Sequence, residues 1–111
     1  KIDKLIVNVP ISPTVIRAVR TNWGIQIGAF NGYANAHIAA GNVAQRLSNL
    51  PATTSLKILP VSQKADTLFR ARLMGMDETS ARASCQKLLS NGQVCVLVTP
   101  QDHELASLPS R

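Results

Sequence analysis

The stretch Trp23-Gly-Ile-Gln-Ile-Gly-Ala-Phe30 alternates apolar with small or polar residues and leads into an alanine-rich segment with helical spacing. A second stretch, Leu68-Phe-Arg-Ala-Arg-Leu-Met-Gly-Met76, alternates similarly and leads into another helix-like segment. Each copy then continues into a further apolar strand. Because a period of two indicates a strand and a period of 3.6 a helix, the sequence predicts two βαβ units.

Two βαβ units of this size predict an α+β fold of the ferredoxin or RNP type. This fold has a four-stranded antiparallel sheet with two helices on one face. The predicted strands begin at Trp23 and then cover residues 55–62, 67–74 and 94–99. The other face of the sheet is expected to be bare, which makes it the predicted binding surface.

The first strand places a polar side chain on this bare face. Ile25 and Ile27 are predicted to face the helices, which leaves Gly24, Gln26 and Gly28 on the opposite face. The amide of a glutamine both donates and accepts hydrogen bonds. The flanking glycines would let a ligand approach the backbone.

The third strand adds paired cations to the same face. Arg70 and Arg72 are predicted to point away from the helices, whereas Phe69 points toward them. Guanidinium groups suit carboxylates and phosphates. Apolar residues predicted to share this face are Leu68, Met74, Val94, Val96 and Val98. A mixed apolar and polar face suggests a platform for a sugar or a base.

The chain has 111 residues and a formal net charge of +6. Its length predicts one domain at residues 23–100, preceded by a linker or arm at 1–22 and followed by a flexible tail at 101–111. The first residue is not Met, so we interpret the chain as a fragment of a longer protein. The positive charge suits an anionic partner, and it equally suits ordinary solubility. No apolar run approaches the roughly 20 residues of a membrane span, so no membrane insertion is expected.

The two cysteines, Cys85 and Cys95, fit no zinc motif. They fall late in the second predicted helix and in the following strand. A disulfide between them would contribute about 2–3 kcal/mol and indicate an oxidising compartment. Two buried free thiols are the alternative.

No pattern in the sequence predicts catalysis. His37 and His103 lie in no array with a nucleophile or a carboxylate, and the turn at Gly28 lacks the spacing of a phosphate loop. We therefore predict no enzyme activity, no cofactor and no metal site in this chain. RNA recognition motifs share the predicted topology but stack bases on aromatic residues of the central strands. With Phe69 on the core side and an aromatic content of 4%, base stacking is disfavoured.

The two strand motifs together resemble those of SPOR domains, the sporulation-related repeat domains that bind bacterial peptidoglycan. The resemblance covers about residues 23–100. It rests on Gln-Ile-Gly-Ala-Phe at 26–30, Phe-Arg-Ala-Arg-Leu at 69–73 and Cys-Val-Leu-Val at 95–98. It implies a periplasmic module that recognises denuded glycan strands, which lack stem peptides and are enriched at the division septum.

The resemblance also implies site residues. Gln26 matches the glutamine that binds glycan in this family, and Arg70 and Arg72 match its polar positions. Our hypothesis is that one arginine reads the lactyl carboxylate that removal of a stem peptide exposes. Ala29 stands where many relatives have serine, and Val96 stands near their aromatic residue. Both departures predict weaker hydrogen bonding and sugar stacking.

A cysteine pair like Cys85 and Cys95 occurs in some relatives, which favours the disulfide. The form of the first motif resembles SPOR domains at the C-terminus of D-alanyl-D-alanine carboxypeptidases, and we expect a monomeric domain. A nucleic-acid-binding or protein-interaction domain of the same topology remains the alternative function.

Overall fold

The computed structural model describes residues 21–106, with the backbone alone for 104–106. The elements in chain order are β1 (Trp23–Phe30), α1 (Tyr33–Arg46), β2 (Ser55–Gln63), β3 (Asp66–Met76), α2 (Glu78–Ser90), β4 (Val96–Val98) and α3 (Pro100–Ala106). The sheet order is β2-β3-β1-β4, and every neighbouring pair of strands is antiparallel. The predicted α+β, RNP-like fold is therefore confirmed. Of the predicted arm at 1–22, residues 1–20 lie outside the described part of the chain.

The hydrophobic core lies between one face of the sheet and the helices α1 and α2. The sheet supplies apolar side chains at alternate positions, and each helix supplies one apolar stripe. The core residues of the strands are Ile25, Ile27, Ala71, Leu73 and Met76, and those of the helices are Ala36, Ala40, Val43, Ala81, Cys85 and Leu88. Burial of this apolar surface is the main favourable term in folding.

The second βαβ unit is fixed at both ends of α2. Asp77 caps the helix, since its Oδ1 accepts a hydrogen bond of 2.7 Å from the backbone N–H of Ser80. Gly92 closes the other end with a φ of 79°, a left-handed conformation that favours glycine. Cys85 and Cys95 form a disulfide with a Cα–Cα distance of 5.4 Å. This confirms the predicted bond and excludes the free thiols.

The end of the chain differs from the prediction. β4 spans Val96–Val98, shorter than the predicted 94–99. Of the flexible tail expected at 101–111, the part up to Ala106 is helical, and residues 107–111 lie outside the described part of the chain. Thr99 anchors this helix, because its Oγ1 accepts from the N–H of Asp102 and its carbonyl accepts from the N–H of His103, both at 3.1 Å. Proline suits the first position of a helix, and threonine suits the cap before it.

We call the sheet face opposite α1 and α2 the open face. It is not bare as predicted, because α3 reaches it: Arg72 of β3 is hydrogen-bonded to His103. Within residues 21–106, no helix is both long and apolar enough to cross a membrane. The fold thus presents one closed apolar face and one partly covered polar face.

Candidate functional site

The strand register arranges the open face in rows of side chains. We call the middle one the polar row; it consists of Lys57, Arg72, Gln26 and Val96, from β2, β3, β1 and β4. On one side lie Leu59, Arg70 and Ala29, and on the other lie Ser55, Met74, Gly24 and Val98. Residues directly opposite on antiparallel strands have Cβ atoms about 4.5–5.5 Å apart, so each row forms one contiguous strip.

A β-bulge in β1 changes which residues reach this face. Gln26 pairs with Arg72, but Gly28 pairs with Ala71, so two steps on β1 match one step on β3. Beyond such a bulge the alternation of side chains reverses. Gly28 therefore faces the helices, and a Cβ there would lie 3.0 Å from the ring of Phe30. The prediction that Gly28 shares the open face with Gln26 is wrong.

The same bulge moves Ala29 onto the open face. Ala29 is exposed and pairs with Arg70. The position where the resemblance led us to expect serine is thus beside the exposed arginine, but it carries only a methyl group.

Arg72 is the buried centre of the polar row, with 5% of its surface exposed. Its Nε donates to Oε1 of Gln26 at 2.9 Å, and its Nη1 lies 2.9 Å from Nδ1 of His103. Because arginine has no acceptor, Nδ1 of His103 must be unprotonated in this contact. Burial lowers the pKa of Arg72, the charge of Arg70 lowers it further, and Asp102 raises it.

The bond to Arg72 determines what Gln26 can offer a ligand. Its amide oxygen is engaged by the guanidinium, and no partner of its amide nitrogen is found among residues 21–106. The side chain is half-buried and lies at the surface of the cleft described below. Gln26 is therefore held as a hydrogen-bond donor.

Among the described residues, the cations of the open face form no ion pair, although Asp102 lies in the same cleft as Arg70 and Arg72. In the part of the chain that the structure describes, the ion pair is between Arg82 and Glu78, which both lie on α2. Arg70 is half-buried and Lys57 is exposed, and neither is paired with a carboxylate. A buried cation such as Arg72 is ordinarily paired, so this face is suited to an anion.

The cleft on the open face has a volume of about 470 Å³. Its lining residues are Gln26, Arg70, Arg72, Val96, Leu97, Val98 and Asp102. Four residues predicted for the site are thus brought together: Gln26, Arg70, Arg72 and Val96. None of the three rows contains an aromatic side chain, and Phe69 packs against the core as predicted.

Three charged or titratable residues of this surface were missed by the sequence analysis. Lys57 lies on β2 opposite Arg72, and alternation along the predicted second strand could have placed it there. Asp102 and His103 lie on α3, and the Thr99-Pro100 pair was the available signal for that helix. The pKa of His103 is lowered by burial and then by the charges of Arg72 and Lys57.

Comparison with known families agrees with this geometry. The model of the SPOR domain matches residues 19–99. Neither curated proteins nor solved structures give a significant match. SPOR domains are generally non-catalytic modules that bind peptidoglycan. The match includes both βαβ units and stops immediately before α3. The chain belongs to the SPOR domain family.

Proposed function

We propose that this SPOR domain binds the denuded glycan strands of peptidoglycan through the open face. Removal of the stem peptide leaves a lactyl carboxylate on each muramic acid, so a denuded strand is a chain of sugars with regularly spaced negative charges. The observation that carries the proposal is that Arg70, which forms no ion pair with a described residue, and the donor group of Gln26 line the same cleft.

The roles follow from exposure and from the bonds already made. Arg70 is the residue that reads the carboxylate, because Arg72 is buried and engaged by Gln26 and His103. Charge-assisted hydrogen bonds between a guanidinium and a carboxylate are roughly twice as strong as neutral ones. Gln26 donates from its amide nitrogen to sugar oxygens, and Val96 supplies apolar surface.

The domain is proposed to act by targeting. It would bring the protein that carries it to the division septum, and that protein would be a cell-wall enzyme of the D-alanyl-D-alanine carboxypeptidase type. A SPOR domain with a disulfide is consistent with an extracytoplasmic location in the cell envelope, and we propose the periplasm.

Co-sedimentation with purified sacculi tests the proposal. The wild-type chain is mixed with sacculi before and after treatment with an amidase that removes stem peptides. We expect the bound fraction to rise after treatment and to fall in Gln26→Ala. A bound fraction that is the same before and after treatment would contradict recognition of denuded glycan.

Arg70→Ala, measured in the same assay over a range of salt concentrations, tests whether Arg70 binds the lactyl carboxylate. We expect weaker binding and a shallower salt dependence, since one ionic contact is lost. Arg82→Ala is the matched control, because it removes an exposed arginine from α2, away from the open face. Equal losses in the two variants would indicate attraction by net charge alone. Binding to single-stranded RNA instead of sacculi, with a steep salt dependence, would favour the nucleic-acid alternative.

A further inference from the structure

The helix α3 lies outside the segment that matches the family and covers part of the proposed binding surface. It has seven residues. Helices this short are marginal in water on their own, so α3 depends on its contacts with the rest of the domain. Its contacts with the open face therefore decide whether it stays in place.

Those contacts resemble what an anionic ligand would make. Nδ1 of His103 accepts a hydrogen bond from the guanidinium of Arg72, as a carboxylate oxygen would. Asp102 lines the cleft together with Arg70 and Arg72, and its charge acts on Arg72. A ligand carboxylate approaching Arg72 would meet an imidazole and a carboxylate that belong to the protein itself.

The contacts with α3 limit the access of a ligand to Arg72. With α3 in place, Arg72 is 5% exposed and its Nε and Nη1 already have partners. Arg72 still lines the cleft, but its Nη1 can take a ligand as its partner in place of His103 only if α3 moves away. The open face has two arginines at alternate positions of β3, Arg70 and Arg72, but the Nη1 of Arg72 is occupied by His103.

We propose that α3 is an autoinhibitory latch, in which Asp102 and His103 occupy the anion subsite of Arg72 until a glycan carboxylate displaces them. The inference rests on the proposed function for the identity of the competing ligand. In the latched state the ligand contacts Arg70 and Gln26, and in the released state it contacts Arg72 as well.

The latch is sensitive to pH because of the groups that face His103. These are Lys57 from β2 and Arg72 from β3, whose charges act on His103, while Asp102 is its neighbour on α3. Protonated His103 no longer accepts from Arg72 and adds a positive charge beside two cations that already lower its pKa. Acidification therefore releases α3 and exposes Arg72, while a glycan carboxylate stays ionised at mildly acid pH.

Calorimetric titration with a denuded tetrasaccharide of peptidoglycan, at pH 7.5 and pH 5.5, tests the latch. We expect His103→Ala to bind about tenfold more tightly than wild type at pH 7.5, because one charged hydrogen bond no longer competes. Wild type should approach the affinity of the variant at pH 5.5, and the variant should show little change with pH. His37→Ala is the control, because His37 is an exposed histidine on α1. Equal or weaker binding by His103→Ala at pH 7.5 would overturn the latch.

A second measurement needs no glycan. Hydrogen exchange of the backbone amides of α3, corrected for the intrinsic effect of pH, is followed by NMR in wild type and His103→Ala. We expect protection of α3 to fall between pH 7.5 and pH 5.5 in wild type and to be low at both values in the variant. Unchanged protection in wild type would contradict release by protonation. If wild-type α3 loses protection at pH 5.5 but no variant binds glycan, the proposed function is contradicted while release of α3 by protonation is supported.

Discussion

The two faces of this sheet are covered in different ways. On one face, α1 and α2 bury a continuous apolar cluster in which Ile25, Leu73 and Met76 are at most 1% exposed. On the other, the short helix α3 makes a polar contact with the sheet, between His103 and Arg72. Apolar burial contributes about 25 cal/mol per Å², whereas one hydrogen bond contributes a net of roughly 1 kcal/mol. The first cover is thus part of the fold, and the second can be removed.

The largest expected effect comes from the apolar face. Leu73→Ala removes a side chain that is 1% exposed from the centre of the core. We expect the free energy of unfolding to fall by about 2–5 kcal/mol, through lost burial and the cavity left behind. Val96→Ala is the control, because Val96 is 55% exposed on the open face and should change stability by less than about 0.5 kcal/mol. Urea denaturation measures both, and similar losses would contradict the contrast between the faces.

The disulfide closes the apolar face at the end of α2. Cys85 and Cys95 are both buried in the core cluster and are ten residues apart in sequence. Reduction should lower the free energy of unfolding by about 2–3 kcal/mol, because the unfolded chain gains conformational freedom. Urea denaturation with and without dithiothreitol measures the difference. If the two midpoints coincide, the bond does not stabilise the domain.

The cap of α2 has a smaller and pH-dependent effect. Asp77→Ala should cost about 1 kcal/mol at pH 7, which is typical of the loss of an N-cap. Hydrogen bonds from Ser80 lower the pKa of Asp77, so the cap stabilises the fold above the unfolded pKa of about 3.9 and is lost as pH falls through the folded value. The difference between wild type and variant should therefore shrink at acid pH. Asp66→Ala, which removes an exposed carboxylate at the start of β3, is the control, and an equal pH dependence there would argue against the cap.

The apolar face of the sheet was predictable from the sequence, because the two-residue alternation of apolar side chains matches the pattern of burial there. Ile25 and Ile27 are buried in the core as predicted, and so are Ala71 and Leu73, which alternate with Arg70 and Arg72 along β3. The positions of Asp77 and Gly92 also follow local rules, because a helix cap and a left-handed turn each restrict the residue type.

The open face was predictable only in part, because tertiary features modify it. The bulge at Gln26 and Gly28 reverses the alternation, and sequence alone does not show where a strand carries an extra residue. α3 is not evident from the sequence, because a proline after the last strand suits the end of the ordered domain as well as the start of a helix. The burial of Arg72 depends on that helix and could not be foreseen from the third strand.

Apart from the control variants, Arg72→Met is expected to change stability least, and it is the sharpest test of the comparison because Arg72 and Leu73 are neighbours that point to opposite faces. Loss of one partner of a buried ion pair is costly because it leaves an unpaired charge. No carboxylate is ion-paired with Arg72 among the described residues, so the variant loses only the longer-range attraction to Asp102 and is relieved of repulsion with Arg70. The methionine side chain also makes apolar contacts at this position, where only 5% of the arginine surface is exposed. Against this, Oε1 of Gln26 loses its donor and α3 loses its anchor.

We expect a net change within about 1 kcal/mol in urea denaturation, with faster amide exchange confined to α3. A loss as large as that of Leu73→Ala would mean that Arg72 belongs to the fold as much as the core does.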